Sequence, residues 1–561
     1  MSEQAIRRTG GQVLIDQLRI HGTEMIFCVP GESYLAALDA LYDAREDIRL
    51  IVCRQEGGAA YMADAHAKLM RRPSVLFVTR GPGATNASIG VHTAYQDSSP
   101  MVVLIGQVPR GHADREAFQE IDFRRMYGQF TKWVAQIEDA ARIPEMVAHA
   151  FTLANSGRPG PVALVLPEDM LCDEVSVADA APFSTVQASP SSADLDRMRA
   201  MLSQSHTPML LLGGQTWTPE AVRDIAAFAE ANRIPVATSL RCQDHFDNLS
   251  PYYAGDLAIA PNPKLTQMVK QTDLLIAIGP RLGEATTAGY TLLEVPRPRQ
   301  QLIHVHPGSE ELGRVYQAAL PINAGMPQIA AALAQMPPVD SSRWAARTAD
   351  AHRDYLAWGV PEHNPGAVQL AEIVAGLRDR MPPDTIVTNG GGNFTGWVHR
   401  YWRFRELGTQ LAPTNGSMGY GVPSAVAAAL AYPERRVLSF SGDGCFLMNG
   451  QELATAVQYR VRPIFFVINN GMYGTIRMHQ EREYPGRTIG SDLQNPDFAA
   501  LARAYGLHGE TVKRTEEFAA AFDRCLAADR ASLIEIQLDQ EAITTRLTLS
   551  KLRDRPRPPK L

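Results

Sequence analysis

One rhythm recurs three times along the chain: a short apolar run, rich in Val and Ile, stops at Gly or Pro and gives way to a stretch with helical periodicity. EMIFCVPG, SVLFVTRGPG, PMVVLIGQVP and PVALVLPED form the first set. PMLLLGG, IPVATSL, DLLIAIGPRLG and QLIHVHPGS form the second, and DTIVTNGGG, RVLSFSGDG, PIFFVINNG and SLIEIQLD the third. Runs this short, apolar throughout and alternating with helices are the pattern of parallel strands buried on both faces. The expected fold class is therefore α/β, with three doubly wound parallel-sheet domains. A chain of 561 residues exceeds the roughly 250–300 that one core serves, so several domains are required on length alone. Two stretches without apolar period, 176–194 and 336–366, read as linkers, the second carrying an amphipathic helix at most. They set domain limits near 1–180, 190–340 and 365–545, with a tail at 546–561 that either frays or closes over a site.

Charge narrows the partners. Sixty acidic and 54 basic side chains leave a net charge of -6, which provides no electrostatic footprint for nucleic acid or an anionic membrane surface. No window approaches the roughly 18 apolar residues needed to cross a bilayer. The N-terminal MSEQAIRRTGGQVLIDQLRIHG lacks the uninterrupted apolar stretch of a signal peptide, because Asp16 and Arg19 interrupt it. Six scattered cysteines without a CxxC spacing suit reduced, buried thiols in a cytoplasmic protein.

The passage RVLSFSGDGCFLMNGQELATAVQYRVRPIFFVINNGMYGTIR carries the chemistry. Asp443, between Gly442 and Gly444, follows one strand, and Asn469-Asn470 end the next after 24 intervening residues. Open α/β sheets bind ligands beyond the carboxyl ends of their strands, so Asp443 and Asn470 should face one another across a crevice. A carboxylate, an amide oxygen and a backbone carbonyl suit a small octahedral cation such as Mg²⁺, which keeps ligand phosphates among its partners. Glycines beside Asp443 let backbone approach a diphosphate, with a helix expected from near Phe446 directing amide groups at the anion. A metal-bridged diphosphate is the implied ligand.

This GDG…NN pattern resembles the diphosphate-binding motif of thiamine diphosphate enzymes. The resemblance extends through VPGESYLAALDAL, RQEGGAAYMADAHAK, VTRGPGATNASIGVHTAYQDSSPMVVLIGQVP and AFQEID to TNGSMGYGVPSAVAAALA, all similar to the acetolactate synthase-like group of 2-oxo acid decarboxylases and carboligases. It implies thiamine diphosphate held with Mg²⁺ on Asp443, Asn470 and the Met472 carbonyl. It also implies Glu56 as the acid that protonates the aminopyrimidine ring and thereby activates the thiazolium C2 position. Met418 would prop the cofactor into a bent shape, and the Gly416 carbonyl would meet the pyrimidine amino group. Gly392, Asn393 and Phe394 would contact the diphosphate, although the group often has Gln-His where Asn-Phe stands here. Gly442, Gly444, Cys445, Tyr473 and Gly474 complete the diphosphate side, and Pro30 and Gly31 the pyrimidine side.

The same resemblance implies Phe118 and Gln119 near the reacting carbon, and Lys132, Thr475, Met478 and His479 on the side of a small-molecule substrate. Because one half of the cofactor belongs to the first domain and the other to the third, it implies sites shared between subunits. A homodimer is then the minimum and a homotetramer the expected assembly. Two departures concern the acceptor. Where the group reads GxRFDDR this chain has Gly279-Pro280-Arg281-Leu282-Gly283-Glu284-Ala285, so the carboxylate-anchoring Arg becomes Ala285; where it reads MQW, the Trp becomes His479. An acceptor other than a second 2-oxo acid is expected. In the middle domain FAD stands against an empty or ADP-like pocket, since His306 replaces an Asp of the group's HIDID pattern. The alternative enzyme is a CoA-linked one, of the oxalyl-CoA decarboxylase or 2-hydroxyacyl-CoA lyase type; a non-catalytic descendant is disfavoured by the joint presence of Glu56, Asp443 and Asn470.

Overall fold

The computed structural model describes residues 7–554. Its chain divides into two compact units, Met1–Gln187 and Ala188–Leu561. The first contains one six-stranded parallel sheet and the second contains two. The three sheets are those expected from the recurrent apolar runs, and every pairing within them is parallel. Their central strands are buried, Met101–Gln107 and Pro161–Pro167 at every position, while edge strands such as Trp133–Gln136 are half-buried.

With strands counted in chain order within each sheet, the first and third sheets share the spatial order 2-1-3-4-6-5, whereas the middle sheet runs 3-2-1-4-5-6. Both orders reverse direction between central strands, and such reversals open the crevice in which α/β sheets hold ligands. In the third sheet the reversal lies between Ile386–Asn389 and Val437–Gly442, so the loops after these strands splay apart. Arg8–Thr9 pairs antiparallel with Glu174–Val175 and ties the start of the first unit to the end of its sheet.

The stretch 336–366 forms the helix Ala345–Trp358, whose Tyr355 packs into the middle core. The middle and third sheets meet at the loop following Val236–Ser239. There Gln243 donates to the His399 carbonyl at 2.8 Å, and its amide also meets the Gln410 side chain at 2.9 Å. The Gln243 amide faces Asp256 at 3.3 Å. Enclosure in this seam pushes the Asp256 carboxyl up to about 7. A carboxyl raised above its unfolded value of about 3.9 contributes stability in its protonated form below that value, and this contribution is lost as pH rises through 7. Asp256→Asn should therefore melt at the same temperature as the parent near pH 4 and above it at pH 8; thermal scans at the two pH values check this.

Candidate active site

The third sheet builds a cavity of about 200 Å³ at its carboxyl edge. Val437–Gly442 delivers Asp443, which opens the four-residue helical turn Asp443–Phe446. This helix begins three residues before the expected start near Phe446, because extended Gly442 passes directly into it and Asp443 supplies its first residue. Asp443 is 3% exposed. Its Oδ1 accepts the Gly444 N–H at 2.9 Å, while Oδ2 accepts the Gly471 N–H at 2.9 Å and the Asn495 amide at 2.8 Å. Burial nevertheless pushes the Asp443 carboxyl up, as expected for an anion whose hydrogen bonds incompletely replace water. A cation beside it would favour the carboxylate.

The next strand, Ile464–Asn469, ends where the amides begin. Asn469 points away from the ligand space: its amide donates to Glu535 at 2.7 Å, and its Oδ1 accepts from Asn495 at 2.9 Å. Asn470 lies beyond the strand and lines the cavity. Gly471, at φ +68°, turns the chain into the left-handed region, where Gly avoids the steric penalty of a side chain. Met472 then bridges Asp492, and the Tyr473 N–H bonds to the Ser491 carbonyl at 2.8 Å. The carboxylate of Asp443, the amide of Asn470 and the carbonyl of Met472 are hard oxygen donors of the kind Mg²⁺ takes. Among the described residues no cluster of three His, Cys, Asp or Glu side chains offers a competing metal site.

Facing them, Gly391 must lack a side chain, since a Cβ there would lie 2.0 Å from the Gly416 carbonyl oxygen. Its N–H donates to the Ser417 carbonyl at 3.0 Å, stitching the 391–394 loop to the 416–418 loop. A Cβ on Gly444 would meet the Tyr473 ring at 2.5 Å, and one on Gly392 the Phe394 ring at 2.7 Å. The cradle is thus made of backbone. Gly392, Asn393, Phe394, Gly416, Met418, Gly442, Asp443, Gly444, Cys445, Asn470, Met472, Tyr473, Gly474 and Thr475 all line it.

Several of these side chains perform work their motif did not announce. Asn393 accepts from the Thr475 hydroxyl at 2.9 Å and approaches the Met478 sulfur at 3.4 Å. It therefore ties its loop to the helix Gly474–Glu483. Cys445 is buried, with its thiol pushed up, and accepts the Gly419 N–H at 3.2 Å. His479 does not line the cavity; it is exposed, with Arg482 donating to its Nδ1 at 2.7 Å. The far wall comes from Leu538, Ala542 and Ile543, in a segment without any motif. Beyond it, Leu549–Arg553 packs Leu549 and Leu552 on Met472 and Ile543, and Arg553 grips Glu481 at 2.8 and 3.0 Å. The described part of the 546–561 tail is thus docked rather than frayed, and residues 555–561 lie outside the described chain. Asn495, the partner of both Asp443 and Asn469, was equally invisible to motif reading.

The first unit gathers a second set. Glu56 is the first residue of the helix Glu56–Met70, 9% exposed, and accepts the Asn86 amide at 3.0 Å. A Cβ on Gly83 would lie 3.3 Å from its Oε1, and one on Gly81 would strike the Gln119 backbone at 2.8 Å. Glu56 and Gln119 therefore flank one glycine turn, with Gly31, following Pro30, pressed against Thr79 at its start. Phe118 is 72% exposed. Lys132 departs from the expectation of a substrate contact: its ammonium donates to the carbonyls of Leu153 and Ser156, and at 2.8 Å to that of Arg158. These are carbonyls left open where the helix Ile143–Asn155 ends, and a three-donor cation satisfies them.

Three doubly wound domains, one of them ending in an acidic, glycine-rich cradle, define a class of enzyme that binds a diphosphate cofactor. Three family models match in succession: the thiamine pyrophosphate enzyme N-terminal TPP binding domain at 8–126, the central domain at 195–333 and the C-terminal TPP binding domain at 390–536. Over 542 residues the chain is 31% identical to the acetolactate synthase isozyme 2 large subunit of Escherichia coli, covering 95% of this chain and 96% of that one. It is 31% identical to the acetolactate synthase large subunit of Parasynechococcus marenigrum, covering 94% and 87%, and 30% identical to the probable acetolactate synthase large subunit of Methanocaldococcus jannaschii, covering 94% and 92%. The chain belongs to the thiamine pyrophosphate enzyme family and, within it, to the acetolactate synthase-like enzymes. No helix among the described residues is long and apolar enough to cross a membrane.

Replacing Asp443 by Ala removes the only carboxylate that lines the cavity among the described residues. Calorimetry of the variant should record no Mg²⁺-dependent binding of thiamine diphosphate, and an affinity equal to the parent's would contradict the cradle's assignment.

Proposed function

We propose that this enzyme is a Mg²⁺- and thiamine diphosphate-dependent lyase or carboligase acting on a 2-oxo acid or related ketone, with an acceptor site unlike that of acetolactate synthases. The observation that carries the reading is the donor set around Asp443: one buried carboxylate, the Asn470 amide and the Met472 carbonyl facing a backbone cradle that a Cβ would obstruct. When bound, the cofactor supplies a carbanion-stabilising centre that adds to a carbonyl and allows an adjacent carbon–carbon bond to break or form. Asp443, Asn470 and Met472 would hold the cation, and Gly392, Gly442 and Gly444 would admit the diphosphate. Cys445, Tyr473, Gly474, Asn393 and Phe394 shape the walls of the cradle. Met418 and the Gly416 carbonyl would orient the ring portion, with Pro30 and Gly31 on the pyrimidine side.

Glu56 is assigned to hold a proton against the pyrimidine ring nitrogen. Its placement at a buried helix start, oriented by Asn86, supports a fixed proton carrier. Gln119 and Phe118 are assigned to the reacting carbon, and Thr475 and Met478 to the substrate wall. The cavity is smaller than the roughly 300–1,000 Å³ of a complete ligand pocket, which agrees with a cofactor only partly enclosed by the third domain. A homodimer, and beyond it a homotetramer, would complete it. Ile89 beside the Glu56 helix and Leu447 and Met448 after the Asp443 turn are exposed apolar side chains suited to such an interface. Five of the six cysteines are buried, which fits thiols kept reduced in a cytoplasmic location. The middle sheet has the dinucleotide strand order that would admit FAD or an ADP-like group, and His306, standing where the group has an Asp, accepts the Gly308 N–H of its own loop at 3.0 Å.

The acceptor assignment rests on Ala285 and outward-facing His479. Both remove features that would anchor a second 2-oxo acid. With thiamine diphosphate and Mg²⁺ present, a panel of pyruvate, branched and aromatic 2-oxo acids, aldehydes and CoA thioesters, with product identification, should record 2-oxo acid consumption without acetolactate. Acetolactate from pyruvate alone would overturn the altered acceptor site, and turnover of thioesters only would favour the CoA-linked chemistry. Glu56→Gln should fold and bind the cofactor yet lose turnover by about 100-fold or more, a general acid's usual share being 10²–10⁴-fold; full activity would remove Glu56 from its role.

A further inference from the structure

The loop after Val236–Ser239 is unusually polar for a buried segment, and most of its polar groups bond to the third domain. Asp244 Oδ2 accepts three successive backbone N–H groups, from Gly408 at 2.8 Å, Thr409 at 3.1 Å and Gln410 at 3.2 Å. Asn248 exchanges hydrogen bonds with the Phe404 backbone, its N–H donating to the carbonyl and its Oδ1 accepting the N–H, each at 2.9 Å. These contacts fix both the height and the orientation of the loop against the third sheet. At its head stands Arg241, 7% exposed, with backbone φ at +60°. A non-glycine residue held in the left-handed region is strained, and persists where surrounding contacts over-determine it.

Arg241 reaches the two glycine loops of the cavity without lining it. One terminal nitrogen donates to the Pro413 carbonyl and the other to the Gly390 carbonyl at 3.4 Å. The Pro413 carbonyl also accepts the Gly416 N–H at 3.0 Å, closing a four-residue turn in which Gly416 has φ +72°. Gly390 immediately precedes Gly391, whose N–H bonds to Ser417 and whose missing Cβ admits the Gly416 carbonyl. A planar guanidinium suits two diverging acceptors because its donors are fixed in one fork. We infer that Arg241 is a positioning residue contributed by the middle domain: it holds the loop entrances at Gly390 and Pro413 in register, and so sets where the Gly416 carbonyl and the Gly392 backbone meet the cofactor.

This inference rests on reading the cavity as the thiamine diphosphate site, so its test carries that reading as a separate arm. Arg241→Met and Arg241→Lys are compared with the parent by calorimetric titration of thiamine diphosphate in saturating Mg²⁺, near-ultraviolet circular dichroism of the bound cofactor, and thermal melting of the cofactor-free protein. Arg241→Met should weaken binding on the order of tenfold to a hundredfold, as loss of an orienting partner behind a ligand site does, and alter the dichroism. Arg241→Lys, which keeps the charge but not the fork, should fall between. Arg405→Ala breaks the 2.6 Å pair with Asp247 at the same seam and should leave cofactor affinity within about twofold, since surface pairs contribute little.

Parent-like affinity and dichroism in a folded Arg241→Met would overturn the inference, as would an equal loss in Arg405→Ala, which would mark a general effect of the seam. If Arg241→Met does not fold, parent-like binding by Arg241→Lys overturns it instead. Undiminished binding by Asp443→Ala, run in parallel, would displace the cofactor from this cavity and remove the basis of the inference; undiminished binding by the Arg241 variants alone would leave the cavity's assignment standing.

Discussion

A carboxylate held out of water at the end of a parallel strand organises the third domain. Asp443 is anchored by two backbone N–H groups and the Asn495 amide, and burial still raises its carboxyl. A buried anion in this condition favours a cation, because Coulomb attraction strengthens as water is excluded. The surrounding architecture follows from making that attraction available to a diphosphate: glycines where a Cβ would obstruct, a chain reversal at Gly471, and hard oxygen donors from Asn470 and Met472. A nearly neutral surface fits this arrangement, since the anion would be met by one cation and local backbone rather than by a basic face.

The strand–helix alternation was legible in the sequence because fully buried parallel strands leave continuous Val- and Ile-rich runs that surface elements cannot imitate. Asp443 and Asn470 were legible for a related reason: they terminate two such runs, and strand termini in this architecture converge. Asn495, Leu538, Ala542 and Ile543 were not, because they approach the cavity from an irregular loop and from the chain beyond the last strand, where no period constrains position. Lys132 shows the converse limit of motif reading. A lysine in a motif-like setting suggests a ligand contact, while its three donors meet carbonyls at and just past a helix end, and where a helix ends is the least constrained part of a sequence pattern.

The middle domain changes character between sequence and structure. Its apolar runs and glycines suggest a nucleotide fold, and its strand order agrees. Yet its most elaborated feature is the polar loop from Arg241 to Asn248, directed at the third domain. Gln243, Asp244 and Asn248 each bond from this loop to the third domain. Such a seam would give the middle domain a mechanical part in shaping the proposed cofactor cradle, separate from any nucleotide bound there. The docked helix Leu549–Arg553 plays a comparable part from the opposite side, since Arg553 braces Glu481 on the helix that carries Gly474 and Thr475.

The central claim is that the cradle recognises a metal-bridged diphosphate rather than the rings attached to it. Paired calorimetric titrations of the parent protein with thiamine diphosphate and with thiamine, each in Mg²⁺ and in excess chelator, test this most directly. Binding of thiamine diphosphate that requires Mg²⁺, with thiamine at least about a hundredfold weaker, is the expected result, a difference of about 2.7 kcal/mol. Equal affinity for the two ligands, or binding of the diphosphate unaffected by chelation, would contradict it.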